Sequence, residues 1–471
     1  MKRRILFTVL AVVLVAALAS PLLAGKRKHP SKLKYPPIEI TSPEVIGIAL
    51  GNGMEGFLIE DHEVPVVDIV ILFPTYFPEE GKYGLNEMAQ WVIRNGGSES
   101  WPSDKLNEEL EFLAAGVEVY GGNLNTSVAI NCLKKDLDAV LAIAADLIIN
   151  PVFPEDKIEK KRGDMLEEIR RKNDQPRAIA RREFYKLVYK GHPYGWDTNV
   201  GSIEAITRED LTSFHAAYFN PNRAILGISG DVTVNEIIGK LENALEGWEQ
   251  AETVIPAVPA VEPVLAENWN YAYKDISQAY MMLGHFGINS KNEDRCALQV
   301  MNFILGGGSF TSWIVTEVRE KKGLAYSTGS RFGSDAFTLG AFYAFAQTKG
   351  EEYSRAMKIM VEQIERMRDV GPTEEELRKA IDSYVNGQVF DYDSKSGMVR
   401  RLVRLKFEGR PLDTPEKDME RYANMTLEDV KTVAGKYLHP DKMTIFVVGD
   451  KATFDKPLSD FGEVNVIDIE E

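Results

Sequence analysis

The chain is expected to fold as two related α+β halves, joined by a linker and able to face each other across a cleft. Three observations carry this. The first is an internal repeat. Thr207-Arg208-Glu209-Asp210, Tyr218, Pro221, Gly230 and Asp231 recur 219 positions on as Thr426-Leu427-Glu428-Asp429, Tyr437, Pro440, Gly449 and Asp450. Each copy reads as a Thr N-cap, an acidic first turn, a helix ending near Tyr-x-x-Pro, and a β-branched strand closing at Gly-Asp. A match of this length implies duplication of a unit of roughly 220 residues. The second observation is that hairpin and helix patterns come in runs, the mark of α+β rather than strictly alternating architecture. The third is the stretch Ala251 to Ala266, where Pro256, Pro259 and Pro263 stand among Ala and Val. Such a segment resists helix and sheet and suits an extended linker. The expected plan is an N-terminal domain over 38–250, a linker over 251–267 and a C-terminal domain over 268–455. At 471 residues the chain is too long for one ordinary core.

Taken in order, Val45–Leu50 and Met54–Ile59 flank Gly51-Asn52-Gly53 and read as a hairpin. Val66–Phe73 is a β-branched run bounded by Pro65 and Pro74. Helix patterns follow over 84–93 and 103–115, the latter with a Leu106, Leu110, Leu113 stripe. Val117–Tyr120 and Thr126–Cys132 read as strands around Gly121-Gly122. Lys134–Ile149 is expected as a long amphipathic helix, and Pro154 opens another running to about Asn173. Pro372 opens the matching acidic helix of the second half.

Composition narrows the function. A net charge of −16 argues against a nucleic-acid partner, which wants a basic face. Cys132 and Cys296 lie far apart in apolar surroundings, so they read as buried small side chains, not a disulfide framework or a Cys metal site. The six histidines (29, 62, 192, 215, 285 and 439) include no pair at helical spacing, which removes every His-based helical zinc motif. Met1-Lys2-Arg3-Arg4, the apolar run Ile5 to Ala19 and small residues up to Ala24 read as a secretory signal peptide over 1–24. Lys26, Arg27, Lys28, Lys32 and Lys34 make the far flank basic as well, which keeps an uncleaved membrane anchor as the alternative. Either way the bulk of the chain is expected to be exported, periplasmic or otherwise extracytoplasmic.

The motif that organises the first half is Gly84-Leu85-Asn86-Glu87-Met88-Ala89-Gln90-Trp91. Glu87, Gln90 and Trp91 sit at i, i+3 and i+4, on one helix face. This is the spacing of the inverted zinc motif H-x-x-E-H, but it reads E-x-x-Q-W. Gly306-Gly307-Gly308-Ser309 lacks the Lys-Ser/Thr of a phosphate loop and reads as a turn after a helix. His192 reads as a structural loop residue. Asn125-Thr126-Ser127 and Asn424-Met425-Thr426 fit the glycosylation pattern, which chance also produces.

From about residue 44 to 451 the chain resembles the insulinase, pitrilysin and mitochondrial processing peptidase family. The resemblance rests on Gly84-Leu85, Asn150-Pro151-Val152-Phe153, His192-Pro193-Tyr194-Gly195, Tyr218-Phe219-Asn220-Pro221-Asn222 and Gly230-Asp231-Val232. In the second half it rests on Leu305-Gly306-Gly307-Gly308-Ser309-Phe310 and Arg319-Glu320-Lys321-Lys322-Gly323-Leu324-Ala325-Tyr326-Ser327. It implies a clamshell of two α/β-sandwich halves. It also maps the two zinc histidines onto Glu87 and Trp91, the general base onto Gln90, the distant zinc Glu onto Glu168 and a further acidic position onto Lys161. One position in five is kept. Glu87 and Glu168 could offer oxygens, but Trp91 has no lone pair and Gln90 cannot take a proton from water. The site is therefore read as degenerate, with no catalytic residue and no metal of its own.

The resemblance further implies a role shared between chains. In relatives built from two different subunits, one carries zinc and the other an Arg and a Tyr that hold substrate. Those positions are Arg319 and Tyr326 here, which from the residues alone read as a helix C-terminal charge and a strand residue. The expected function is thus an inactive subunit that pairs with a zinc-bearing homologous peptidase and helps bind peptide. One alternative is a scaffold or binding subunit of a membrane-associated complex; another is a self-sufficient zinc endopeptidase.

Overall fold

The computed structural model describes residues 43–469 except 388, 389, 391 and 393. The segment 1–24, read as a signal peptide or anchor, lies outside the described residues. The first half builds a six-stranded sheet from β1 (Ile46–Ala49), β2 (Glu55–Glu60), β3 (Val66–Pro74), β4 (Gly116–Gly121), β5 (Asn125–Leu133) and β6 (Ile225–Gly230). Its order is β1-β2-β6-β3-β5-β4. Strands β2 and β6 are parallel, and the other pairs antiparallel. The second half uses β7 (Asn268–Tyr273), β8 (Gln278–Phe286), β10 (Ala325–Phe332), β12 (Ala341–Lys349), β13 (Thr444–Gly449) and β14 (Val464–Val466), in the order β10-β12-β8-β13-β7-β14. A short parallel pair, β9 (Ile288–Asn289) with β11 (Ser334–Asp335), stands apart.

Five strands correspond one for one between the halves, with the same order and directions: β2 with β7, β6 with β13, β3 with β8, β5 with β12 and β4 with β10. The sixth differs. β1 is a hairpin partner antiparallel to β2, whereas β14 arrives from beyond residue 455 and runs parallel to β7. The duplication read from Thr207 and Thr426 is therefore present in the topology.

Each half carries its own set of helices, most of which pack on one face of that half's sheet. In the first half they are α1 (Leu85–Gly96), α2 (Ser103–Phe112), α3 (Leu137–Ile149), α4 (Glu155–Arg171), α5 (Pro176–Val188), α6 (Val200–Glu204), α7 (Arg208–Tyr218) and α8 (Val234–Ala244). In the second they are α9 (Arg295–Asn302), α10 (Tyr353–Asp369), α11 (Glu374–Gly387), α12 (Lys395–Phe407), α13 (Thr414–Ala423) and α14 (Leu427–Tyr437). The capping boxes are reciprocal as the sequence required. The Asp210 amide donates to Thr207 Oγ1 at 3.3 Å and the Thr207 amide to Asp210 at 2.9 Å; Asp429 and Thr426 repeat this at 3.2 and 2.9 Å. Two helices are shorter than their periodicity suggests. α2 stops at Phe112 because Ala114 takes a left-handed turn, φ 48°, into β4. Residues Lys134–Asp136 form a 3-10 turn before α3 begins.

The halves also exchange a helix. α5 buries Ile179, Ala180 and Phe184 against Tyr280, Met282, Phe446 and Val448 of the second sheet. α12 buries Met398, Val399 and Val403 against Phe57, Ile59, Val70, Leu72 and Ile225 of the first. The approach of α12 is close enough that a Cβ on Gly227 would meet Val399 at 2.5 Å, so glycine is required there. With both faces covered, every residue of β6 is buried. Each large apolar side chain in these seams contributes about 1.5–3 kcal/mol.

Three polar bonds pin the same junction. Tyr189 donates to the Leu339 carbonyl at 2.6 Å and Tyr194 to Asp335 at 2.9 Å. His192 accepts the Tyr194 amide on Nδ1 and donates from Nε2 to the Pro259 carbonyl of the linker at 3.0 Å. His192 is thus structural, as read from the sequence. Cys132 and Cys296 are free and buried, and burial pushes their thiols up to about 12 and about 11. Among the described residues no helix is long and apolar enough to cross a membrane.

Candidate functional site

The motif helix α1 starts at Gly84, whose φ of 101° and close approach to Ile203 and Met165 leave no room for a side chain. Met88, Ala89, Val92 and Ile93 are fully buried and fix the helix's rotation. That rotation decides where Glu87, Gln90 and Trp91 go.

The Glu87 carboxylate accepts a 2.6 Å bond from the Lys161 ammonium on α4. The Lys161 side chain is only 9% exposed and that of Glu87 53%, so the cation is the more enclosed partner. Gln90 is buried and donates from Nε2 to Thr126 Oγ1 at 2.9 Å, with the Gly122 and Asn125 carbonyls at 3.1 and 3.4 Å. It closes the β4–β5 turn. Trp91 packs partly buried on the core, with the Lys160 ammonium 5.5 Å from its ring centroid. Glu168, on α4, is exposed and its carboxylate has no hydrogen-bond or ion-pair partner among the described residues.

These residues do not fit zinc. An ammonium holds the Glu87 carboxylate, the Gln90 amide is spent as a hydrogen-bond donor, and the Trp91 indole has no lone pair to give. The sequence reading left Glu87 and Glu168 as two available oxygens. In the structure the Glu87 oxygen is engaged by the Lys161 ammonium. Among the described residues no group of three or more His, Cys, Asp or Glu side chains is arranged to hold a metal.

A second cluster lies in the other half. Phe303–Gly307 and Val315–Lys321 are wound with π-helical spacing, a feature frequent at functional sites. At the end of the first stretch Gly306, Gly307 and Gly308 press against Ser330, Asn302 and Phe303. The glycines therefore serve close packing rather than a phosphate cradle. Ser309 follows in a left-handed conformation, φ 54°. Arg319, at the end of the second π-helical stretch, places its guanidinium 4.9 Å from the Phe310 ring centroid and 5.6 Å from that of Tyr326 on edge strand β10. Tyr326 is 79% exposed and Phe310 55%. The Arg319 guanidinium makes no ion pair or hydrogen bond with a described residue. The structure thus brings Arg319 and Tyr326 together. It adds Phe310, which sequence reasoning quoted in a motif without giving it a role. The Arg319 fork faces two rings and no acid, and it can take carbonyl or carboxylate oxygens.

Comparison with known proteins fits this geometry. Residues 90–199 match the family described as Insulinase (Peptidase family M16), and residues 205–384 match the Peptidase M16 inactive domain. A Rickettsia felis protein named "Uncharacterized zinc protease" is 25% identical over 390 residues, 81% of this chain and 92% of that one. A Helicobacter pylori protein named "Non-peptidase homolog YmxG" is 22% identical over 400 residues, 83% and 91% of the two chains. Among solved structures, the peptidase M16 inactive domain from Pseudomonas fluorescens has a TM-score of 0.79 at 24% identity, covering 88% of this chain and all of that one. The periplasmic protease PqqL from Escherichia coli has a TM-score of 0.75 at 16% identity, over 91% of this chain and 48% of that one. With the duplicated sheets and the E-x-x-Q-W helix in the motif position, these matches show that the chain belongs to the insulinase family, peptidase family M16.

Proposed function

We propose that this chain is a peptide-binding subunit without its own catalytic metal, acting beside a zinc-bearing homologue in an extracytoplasmic compartment. The observation that carries the reading is the Lys161–Glu87 ion pair, which replaces a metal–ligand contact with a protein–protein one. An ammonium is strongly hydrated and costs several kcal/mol to enclose unpaired, so its position beside Glu87 is a stable refilling of the site. The Arg319 guanidinium supports the peptide-binding part, because it is ordered by two rings yet has donors to spare. The match to only 48% of the PqqL chain supports the pairing part, since that protein has room for a second unit of this size. In the assembled pair, Arg319 would hold a peptide carbonyl or carboxylate and Tyr326 would add its hydroxyl and ring face, while the partner supplies the hydrolytic centre.

The test is purification of the full chain with whatever binds it in its native host, followed by zinc content and peptide hydrolysis. The reading expects a zinc-bearing homologue and activity only in the pair. R319A should reduce activity of the pair about 10- to 100-fold, the range for losing a charged hydrogen bond, while assembly is unchanged. Recovery of the chain with unrelated membrane proteins and no peptidase would replace this reading with a scaffold role.

A further inference from the structure

We infer that Phe310 is a positioning residue for peptide binding: it holds the Arg319 guanidinium in the orientation in which the peptide meets it. The inference rests on the peptide-binding reading of Arg319 and deepens it.

An aromatic ring 55% exposed on a turn has no packing reason to be fixed. This one is fixed from its backbone. Three successive carbonyls around it each accept a side-chain hydroxyl: Gly308 from Thr311 at 2.8 Å, Ser309 from Ser312 at 2.7 Å, and Phe310 itself from Thr316 at 3.2 Å. Ser309 spends backbone strain, φ 54°, to aim the next residue outward. The glycines before it are locked by close contact with Asn302, Phe303 and Ser330. The product of all this is a ring 4.9 Å from the Arg319 guanidinium, on a cation that no carboxylate among the described residues holds. Tyr326 supplies the other ring at 5.6 Å. A guanidinium kept in place by ring faces retains its N–H edge for a ligand, whereas one held by a carboxylate would spend that edge. The arrangement lowers the ordering cost that a long side chain otherwise meets on binding.

The test is a double-mutant cycle on the full-length chain, read as affinity for fluorescein-labelled β-casein, an unstructured polypeptide, by anisotropy. F310A and F310L are each expected to weaken binding about two- to five-fold, the range of an exposed cation–π contact, while F310Y restores it. In the R319A background F310A should have no further effect. Thermal midpoints of the Phe310 variants should match the parent, since the ring is largely exposed. Wild-type affinity in F310L, or an F310A loss that persists in full without Arg319, would overturn the positioning role while leaving Arg319 as a peptide ligand. No effect of R319A, or no binding by the parent chain, would overturn the peptide-binding reading and this inference with it.

Discussion

Lys161 and Glu87, 74 positions apart in sequence, meet at 2.6 Å between helices α4 and α1. The pair is unequal. Lys161 is enclosed and Glu87 is half open to water, so losing one partner is not equivalent to losing the other.

E87A should leave an enclosed ammonium without its carboxylate and cost about 1–3 kcal/mol, less than a fully buried pair because Glu87 is half exposed. K161M keeps the packing of the stem and leaves only a hydrated carboxylate, so it should stay within about 1 kcal/mol of the parent. Urea unfolding of the two variants checks the order; equal losses would contradict it.

Q90E places a carboxylate at Gln90, the position that the family resemblance aligns with a general base. The amide donates to Thr126 and faces the Gly122 and Asn125 carbonyls. A carboxylate cannot donate to them and would repel them, so Q90E should destabilise by about 1–3 kcal/mol and yield no hydrolysis of its own. Chemical denaturation and a peptidase assay on the pure variant read both.

The two capping boxes make a matched pair. T207A and T426A each remove a hydroxyl that accepts the N3 amide. Each should cost about 1 kcal/mol, and the two should agree to within a few tenths, since the same local geometry is repeated.

His285 supplies a pH dependence. Burial pushes its imidazole down to about 4, with a smaller contribution from His439. Burial outweighs the Nδ1 bond to the Phe286 carbonyl, which by itself favours the charged ring, and Nε2 accepts the His439 amide, which only an unprotonated nitrogen can do. The unfolded chain takes up a proton below about 6.5, where the folded chain does not. Stability should therefore fall as pH drops from about 6.5 to about 4, by up to about 3 kcal/mol from this group, and no further below that. H285Q should flatten that part of the stability–pH curve relative to the parent.

Much of this molecule could be read from its residues. The repeat of Thr207 and Thr426 with their acidic turns gave two equivalent helices, because capping is decided by residues three apart. The E-x-x-Q-W spacing placed Glu87, Gln90 and Trp91 on one helix face for the same local reason, and their chemistry alone was enough to argue against zinc. Contacts between distant segments were another matter. The resemblance put Lys161 at a position the family fills with an acid, but only the packing of α4 on α1 made Glu87 its partner. Phe310 was legible as the end of a glycine-rich turn, and nothing in its neighbours announced that its ring would lie over Arg319, nine positions away.

By itself the sequence determined the duplicated α+β plan and the side-chain chemistry of the motif helix, since periodicity, caps and side-chain donors are local properties. Tertiary structure alone decided that α5 and α12 cross to the opposite sheets, that Lys161 closes on Glu87, and that two aromatic rings hold Arg319. Those outcomes depend on which apolar faces meet when the chain compacts. Burial is non-directional and blind to sequence separation, so the partner of each face is fixed only when all the faces are packed together.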